Sequence, residues 1–426
     1  NGLGAVVAAR LRGVPTAAPK FAWILEGSAK RLASANTPDY PINNTGVNEW
    51  NVGATAGYRQ AHSTYELSYR HYQAKLGICS CLRIDTIDDF YAQLAQNRPS
   101  GVDQFESDFS VERPYQEVGH DTAMLHAHWD SGRFGTLTLM YAYQHNLRRE
   151  YEQARKATTD AQFNFRLQTH ELDLTLEPKP IHLDDHWHIR SSYGLAGVAQ
   201  VHAYNGLPLI PDYDAFSGSV FAIARLIGHD VEFEAGARYD GLARSATIER
   251  QDFLRLVRSG QLDSDACGTL TDSQAQIDCK SRYHTVSASL GALRRLSDAW
   301  DVKLDLSTAT RPPNPDEQYL NGTSPTFPVL GYGKPNIKAE TTYSASATTS
   351  YHHEKFTGEA SAFVNRISDY MYFAPAFDAD GKPIFDVLIR GSFPRFVTRS
   401  VNALFYGADG GLEWRPHAAA TLGAQA

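Results

Sequence analysis

Residues 300–307 read Trp-Asp-Val-Lys-Leu-Asp-Leu-Ser, and this strict alternation constrains the chain more than any other feature. Apolar side chains hold Trp300, Val302, Leu304 and Leu306, while Asp301, Lys303 and Asp305 hold successive positions between them. A period of two puts the two sets on opposite faces of a β-strand. Val231–Arg238 repeats the pattern with Glu232, Glu234 and Arg238 on one side, and Leu137–Gln144 alternates large apolar with small or polar residues. Such a charged face cannot line a dry sandwich core, because an unpaired buried charge is costly. One face must meet water and the other an apolar surrounding. The expectation is that Asp301, Lys303, Asp305, Glu232, Glu234 and Arg238 face a wet lumen. Trp300, Val302, Leu304, Phe233 and Tyr239 should then face outward.

About sixteen stretches with this character follow one another, separated by gaps that alternate short and long. Short gaps fall at Val14–Pro19, Gln60–Ser63, Asp130–Arg133, Gly228–Asp230, Ser297–Ala299 and His352–Lys355. Long ones fall at Ala33–Asn48, Leu76–Tyr115, Tyr151–Ala161, Ile248–Ser281, Arg311–Ala339 and Ala374–Pro394. Short periplasmic turns and long extracellular loops are the rhythm of an outer-membrane barrel, and a sandwich or propeller has no reason to keep it. Phe134–Glu150 and Phe163–Glu177 exceed the usual five or six residues of a soluble strand, and a bilayer crossing needs about nine to eleven. The fold expected is all-β, an antiparallel transmembrane β-barrel.

Composition narrows the alternatives. No run approaches the roughly 18 apolar residues of a membrane-spanning helix, which says nothing against strands. Aromatic residues make up 11% of the chain, with 22 Tyr and 20 Phe, which suits the aromatic girdles of a membrane barrel and equally a lectin or β-sandwich. A net charge of -8 with no basic block gives no support for a nucleic-acid partner. No nucleophile elbow, zincin helix or phosphate-cradling loop is present, and Asp88-Asp89 and Asp184-Asp185 lie in turn or loop sequence. The chain is therefore not expected to be an enzyme; an outer-membrane hydrolase is the enzymatic alternative.

The sequence holds 4 Cys, as Cys79 with Cys81 and Cys267 with Cys279. Locally paired cysteines in polar segments suit an oxidising compartment. Cys267 and Cys279 flank a polar loop, and a bond between them should contribute about 3 kcal/mol by loop-closure entropy. Cys79-Ser80-Cys81 stays open. His126-Ala127-His128 and His186-Trp187-His188 could each offer two imidazoles to one ion, since residues i and i+2 share a strand face, and His352-His353 forms a further pair. They lie near short turns, away from the long loops, so rim histidines rather than metal ligands are expected. Loops on a rigid scaffold carry recognition, and Arg311, Asp316, Glu317, Tyr319 and Asn321 are the candidate ligand contacts. Pro312, Pro313 and Pro315 equally fit a brace for the strand exit.

One region carries a family likeness. Residues 310–322 read T-R-P-P-N-P-D-E-Q-Y-L-N-G, residues 333–340 read G-K-P-N-I-K-A-E, and residues 362–372 read A-F-V-N-R-I-S-D-Y-M-Y. These resemble the late barrel of TonB-dependent outer-membrane receptors, where an R-P-P/E-L-Y loop precedes G-N-P-N-L-K-P-E and a strand ending N-x-I-x-D-Y-I. Thr37-Pro38-Asp39-Tyr40 with Asn44-Thr45-Gly46, and Arg113-Pro114-Tyr115, are similar to its earlier loops. Ala339 stands where that turn has a second proline. The resemblance implies twenty-two strands around an N-terminal plug, of which this chain supplies about sixteen; plug, TonB box and final strands are expected to lie outside it. It also implies a bacterial outer-membrane location, contact with lipid, and coupling to the TonB complex through that plug. The implied cargo is a scarce nutrient: a ferric siderophore, haem, cobalamin, another metal complex or a glycan, with no cofactor. A passive porin or structural barrel is the alternative.

Overall fold

The computed structural model describes residues 3–79, 84–152, 160–324, 326–388, 391–417 and 420–425. Its strands are β1 Gly4–Gly13, β2 Phe21–Leu32, β3 Val47–Arg59, β4 Ser63–Gly77, β5 Tyr115–Asp130, β6 Thr136–Tyr151, β7 Phe163–Glu177 and the short β8 Ile181–His182. They continue as β9 His188–Gly206, β10 Asp212–Ile227, β11 Val231–Glu249, β12 Gln276–Ser297, β13 Trp300–Arg311, β14 Asn321–Ser324 and β15 Phe327–Tyr332. The last are β16 Glu340–His353, β17 Phe356–Pro375, β18 Phe385–Leu388, β19 Gly391–His417 and β20 Ala420–Gln425. Helices α1 Ile87–Leu94, α2 Arg250–Arg258 and α3 Pro315–Tyr319 sit in the links.

Sixteen strands make one antiparallel wall, each paired with the next: β1, β2, β3, β4, β5, β6, β7, β9, β10, β11, β12, β13, β16, β17, β19, β20. Among the described residues β1 and β20 do not pair with each other, so the wall is an open part of a barrel. The remaining strands β8, β14, β15 and β18 belong to the links.

The alternation of links holds with two departures. Residues 178–187, between β7 and β9, carry β8 as a small hairpin at the short-turn end. The link 207–211, at the long-loop end, is itself short. The expected gap Ile248–Ser281 is also narrower than its polar sequence suggests: β11 runs to Glu249 and β12 starts at Gln276, in register down to Glu249 opposite Gln276. The reason is packing. Ala246, Ile248, Ile277 and Cys279 are buried against Phe253 and Leu256 of α2, together with Tyr213, Tyr319, Leu330 and Tyr332. Each large apolar side chain so buried contributes about 1.5–3 kcal/mol. The hydrophobic core thus sits at the long-loop end, with the wall below it two-faced.

Register fixes those faces. Arg225, Glu234, Gly291 and Asp305 lie opposite one another across four strands. Leu226, Phe233, Ala292 and Leu304 form the neighbouring row, on the other face. Phe233 and Leu304 are 48% and 54% exposed. A sheet that exposes large apolar side chains along one face and ion pairs along the other matches the pattern read from residues 300–307.

Candidate functional site

The segment between β13 and β16 turns back onto the charged face of the wall instead of standing away from it. Asn314 opens α3 with a reciprocal cap: Asn314 N donates to Glu317 Oε2 at 2.7 Å, and proline occupies the first turn. Arg311, at the end of β13, forks onto the same carboxylate, at 2.8 Å to Oε2 and 3.0 Å to Oε1. Its Nη2 also reaches Glu340 Oε2 at 3.4 Å, and Glu340 accepts from Met371 N at 2.8 Å. A bidentate arginine–carboxylate pair is geometrically specific. It ties β13, α3, β16 and β17 together.

Beyond α3 the chain is held at two points of the wall. Arg244 of β11, 7% exposed, donates to Pro313 O at 2.9 Å and Gln318 Oε1 at 2.6 Å. Gln318, fully buried, returns its amide to Tyr283 Oη at 3.0 Å and Pro335 O at 2.8 Å. Tyr283 Oη donates to Ile337 O at 2.9 Å. At the other end, Thr326 lies against β6: Arg148 Nη2 donates to Thr326 Oγ1 at 2.9 Å, which donates to Glu150 Oε1 at 3.0 Å. Arg148 also pairs with Glu150 directly. Between the two arginines runs a series of rings. Arg148 covers Phe165, His202 stacks on Tyr213 at 4.8 Å, and Arg244 lies 6.0 Å from the Tyr213 centroid.

The other links at this end interlock. Asn44, with φ 57, donates to Ile78 O, Glu112 O and Pro114 O at 2.9 Å. Ser392 N donates to Ile84 O at 3.1 Å, and Phe90 of α1 packs edge-on against Phe385. Arg395 lies 5.8 Å from the Tyr332 ring and forks onto Asp386, 2.8 Å from Nε to Oδ2. Cys267 and Cys279 are disulfide-bonded with Cα atoms 4.3 Å apart. Cys81 lies outside the described residues.

Of the five candidate ligand contacts, Tyr319 and Asn321 come together. Both line a cavity of about 310 Å³ between residues 208–212, α2 and β14, with Asp212, Glu249, Asp252 and Gln276. Tyr319 is only 4% exposed and its Oη lies 3.4 Å from Cys279 O. Burial pushes its phenol above the usual tyrosine range, against the smaller opposite pull of Ser281 and Arg244. Asn321 Oδ1 accepts from Arg255 at 3.1 Å. Arg311 and Glu317 hold each other elsewhere, and Asp316 is exposed. Asp212, Glu249 and Asp252 carried no signal in the sequence, since only strand register and the turn into α2 bring them to Tyr319.

On the charged face lower down, Arg225 pairs with Glu232 at 2.9 Å and, through Nε, with Glu234 at 2.9 Å. Lys303 pairs with Asp305 at 3.0 Å, and Arg238 with Asp240 at 2.8 Å. The histidine pairs lie by short turns. Asp184 beside His186 is occupied in its own turn, accepting from His186 N and Trp187 N at 2.8 Å. Among the described residues no group of three or more His, Cys, Asp or Glu is placed to hold a metal ion.

A wall of long strands, apolar on one face and charged on the other, with its long links at one end and its short turns at the other, defines a transmembrane-type β-barrel. The chain belongs to the TonB-dependent receptor family: the family's β-barrel, described as "TonB dependent receptor-like, beta-barrel", matches residues 25–425. Solved structures agree in fold. The Serratia marcescens hemophore receptor HasR, solved with its hemophore HasA and heme, is 14% identical with a TM-score of 0.63, over 97% of this chain and 61% of that one. The siderophore receptor PirA from Pseudomonas aeruginosa is 11% identical with a TM-score of 0.64, over 100% and 63%. The copper transporter OprC is 12% identical with a TM-score of 0.64, over 99% and 59%. The chain thus spans about three fifths of the length of these receptors. A comparison with curated proteins returned no match.

Proposed function

We propose that the protein is an outer-membrane receptor that captures a scarce nutrient for TonB-driven import: a ferric siderophore, haem, cobalamin, another metal complex or a glycan. The observation that carries this reading is the inward return of residues 312–339. Anchored on Arg244 and Arg148, the segment narrows the long-loop mouth over a lumen lined by Glu232, Glu234, Arg238, Asp301, Lys303 and Asp305. A segment held across the long-loop end by a buried network suits a receptor that must hold its ligand before transport. In this reading the long links are extracellular, the apolar face meets lipid, and Tyr319 and Asn321 mark the ligand-proximal cavity. Arg311 and Glu317 brace the segment that carries it. Energy coupling comes from a plug in the intact receptor that contacts the TonB complex. The reading is also supported by the family and by the likeness in fold to a hemophore receptor solved with heme, a siderophore receptor and a copper transporter.

The test is growth of a deletion strain on single sources of iron, haem, cobalamin, copper or glycan. One source should fail to support growth without the receptor, and should fail equally when TonB is removed. Equal growth of deletion and parent on every source overturns the import reading in favour of a passive barrel.

A further inference from the structure

The apolar face of β2 to β9 can be followed row by row from the short turns to the long links. The lowest row pairs Trp129 with Leu137, Leu137 with Leu176 and Leu176 with Tyr193, and Trp129 Nε1 donates to Tyr65 Oη at 2.9 Å. Leucines follow, then a belt in which Tyr69, Tyr143 and His170 share a row. The next row is polar, with Asp121 between His71 and His145 and 2.8 Å from His71 Nδ1. Above it the face is basic. Arg166 stands opposite Leu147, and the top row carries Arg31, Lys75, Glu117 and Arg149 before Asn164 and Asn205.

Height places this patch. Trp129 and Glu117 are separated by about 40 Å of strand at about 3.3 Å per residue. A tilt of about 35–45° reduces that to roughly 30 Å, against an apolar band about 25 Å tall. The top rows therefore stand just above the hydrocarbon, at head-group level.

Among the described residues, two of the cations there have no acidic partner. Arg149 and Arg166 are both exposed, and among the described residues neither has a carboxylate at ion-pair distance. On the opposite face Arg10, Arg70, Arg148, Arg225 and Arg238 all have acidic partners. Lys75 and Arg31 rest on the rings of Tyr115 and Phe109, at 4.0 and 5.5 Å. Glu117, opposite Arg149, accepts from Tyr151 Oη at 3.2 Å, and Asp121 also accepts from Tyr69 Oη at 2.6 Å. A hollow of about 550 Å³ lies between His145, Arg149, Asn164, Arg166 and Asn205. Guanidinium forks match phosphate oxygens in pairs, and amides suit sugar hydroxyls.

We propose that this hollow seats the phosphorylated sugar head group of an outer-leaflet membrane lipid, held by Arg149 and Arg166. The site rests on the membrane placement given above but not on the identity of the nutrient. It would fix the barrel's depth and orient the wall next to the long links.

The experiment uses the full-length receptor, extracted from the outer membrane, stripped of lipid and returned to vesicles. Vesicles contain a phosphorylated glycolipid, its dephosphorylated counterpart, or only zwitterionic lipid. Native mass spectrometry reads retained lipid, and heat-modifiable gel migration confirms folding. The wild-type protein should retain the phosphorylated form at least threefold better than the dephosphorylated one. Arg149→Gln with Arg166→Gln should remove that preference while keeping the folded migration, and Lys355→Gln, at the short-turn end, should keep it. Equal retention of both glycolipids by the wild type overturns the proposal. So does full displacement by inorganic phosphate at the lipid's own concentration, which makes the site one for small anions. A double variant that no longer migrates as folded is replaced by Arg149→Lys with Arg166→Lys, in which the preference must persist. Absence of the wild-type protein from the outer-membrane fraction counts against the membrane reading itself.

Discussion

Arg244 and Gln318 lie 74 positions apart in sequence and meet at 2.6 Å, joining the charged face of the wall to the loop that returns across it. Gln318 is fully buried and Arg244 nearly so. Arg244 has one other acceptor there, Pro313 O, and its Nε has none. The docking of residues 312–339 therefore depends on this contact more than on any surface pair.

Gln318→Ala removes the acceptor and leaves a buried guanidinium short of a partner. A loss of about 1.5–3 kcal/mol is expected, as for a hydrogen bond to a charged group. Limited proteolysis of the folded receptor should then cut within residues 312–339 while the wall resists. A cleavage pattern identical to that of the parent rules out the anchoring role.

The loop should loosen in alkali. Burial raises the folded-state pKa of Tyr319 above the ordinary 10.0. A group whose folded pKa is raised stabilises fully below its unfolded value, and that contribution is lost as pH rises through the folded one. Thermal midpoints should hold steady up to about pH 10 and fall beyond it. Tyr319→Phe should make the fall shallower, and an unchanged steepness shows that the phenol is not responsible.

Cys267→Ser opens the bonded loop between α2 and β12 without disturbing the more deeply buried Cys279. Loop-closure entropy sets the expected loss at about 3 kcal/mol. Thiol labelling of the parent should stay silent until reductant is added. Labelling of both cysteines in its absence shows that no bond forms.

The two faces of β13 should respond oppositely to charge. Leu304→Arg puts a cation on the apolar face and should cost about 2–4 kcal/mol near the membrane midplane. Asp305→Asn, on the face shared with Glu234 and Arg225, should change stability by about 0.5 kcal/mol or less, as for an exposed pair. Refolding into lipid vesicles under denaturant measures both. A larger effect at Asp305 than at Leu304 reverses the facing.

Legibility in the sequence followed the range of each cause. The sixteen wall strands and their two faces are visible because alternation is a local property, repeated every second residue along Trp300–Ser307 and Val231–Arg238. The gap Ile248–Ser281 is narrower than its sequence suggests: Gln276–Lys280 looks polar, and only Phe253 and Leu256 of α2 explain why it pairs. The link 207–211 carries Pro208 and Pro211 but none of the length expected at that end.

Strand alternation, turn spacing and the Thr310–Tyr372 resemblance sufficed, from the chain alone, to place this protein among TonB-dependent β-barrels. Which residues meet at the long-loop end was decided elsewhere. Tyr319 and Gln318 look like loop residues, yet both are buried, because Arg244, Tyr283 and Cys279 reach them from strands far away in sequence. Arg148, Glu150 and Thr326 meet across 176 positions between Glu150 and Thr326, and Arg149 and Arg166 share a hollow only through the register of β6 on β7. Periodicity specifies a face at every residue. It carries no information on which distant strand will bring a partner to that face, since that depends on register and on the path of the returning loop.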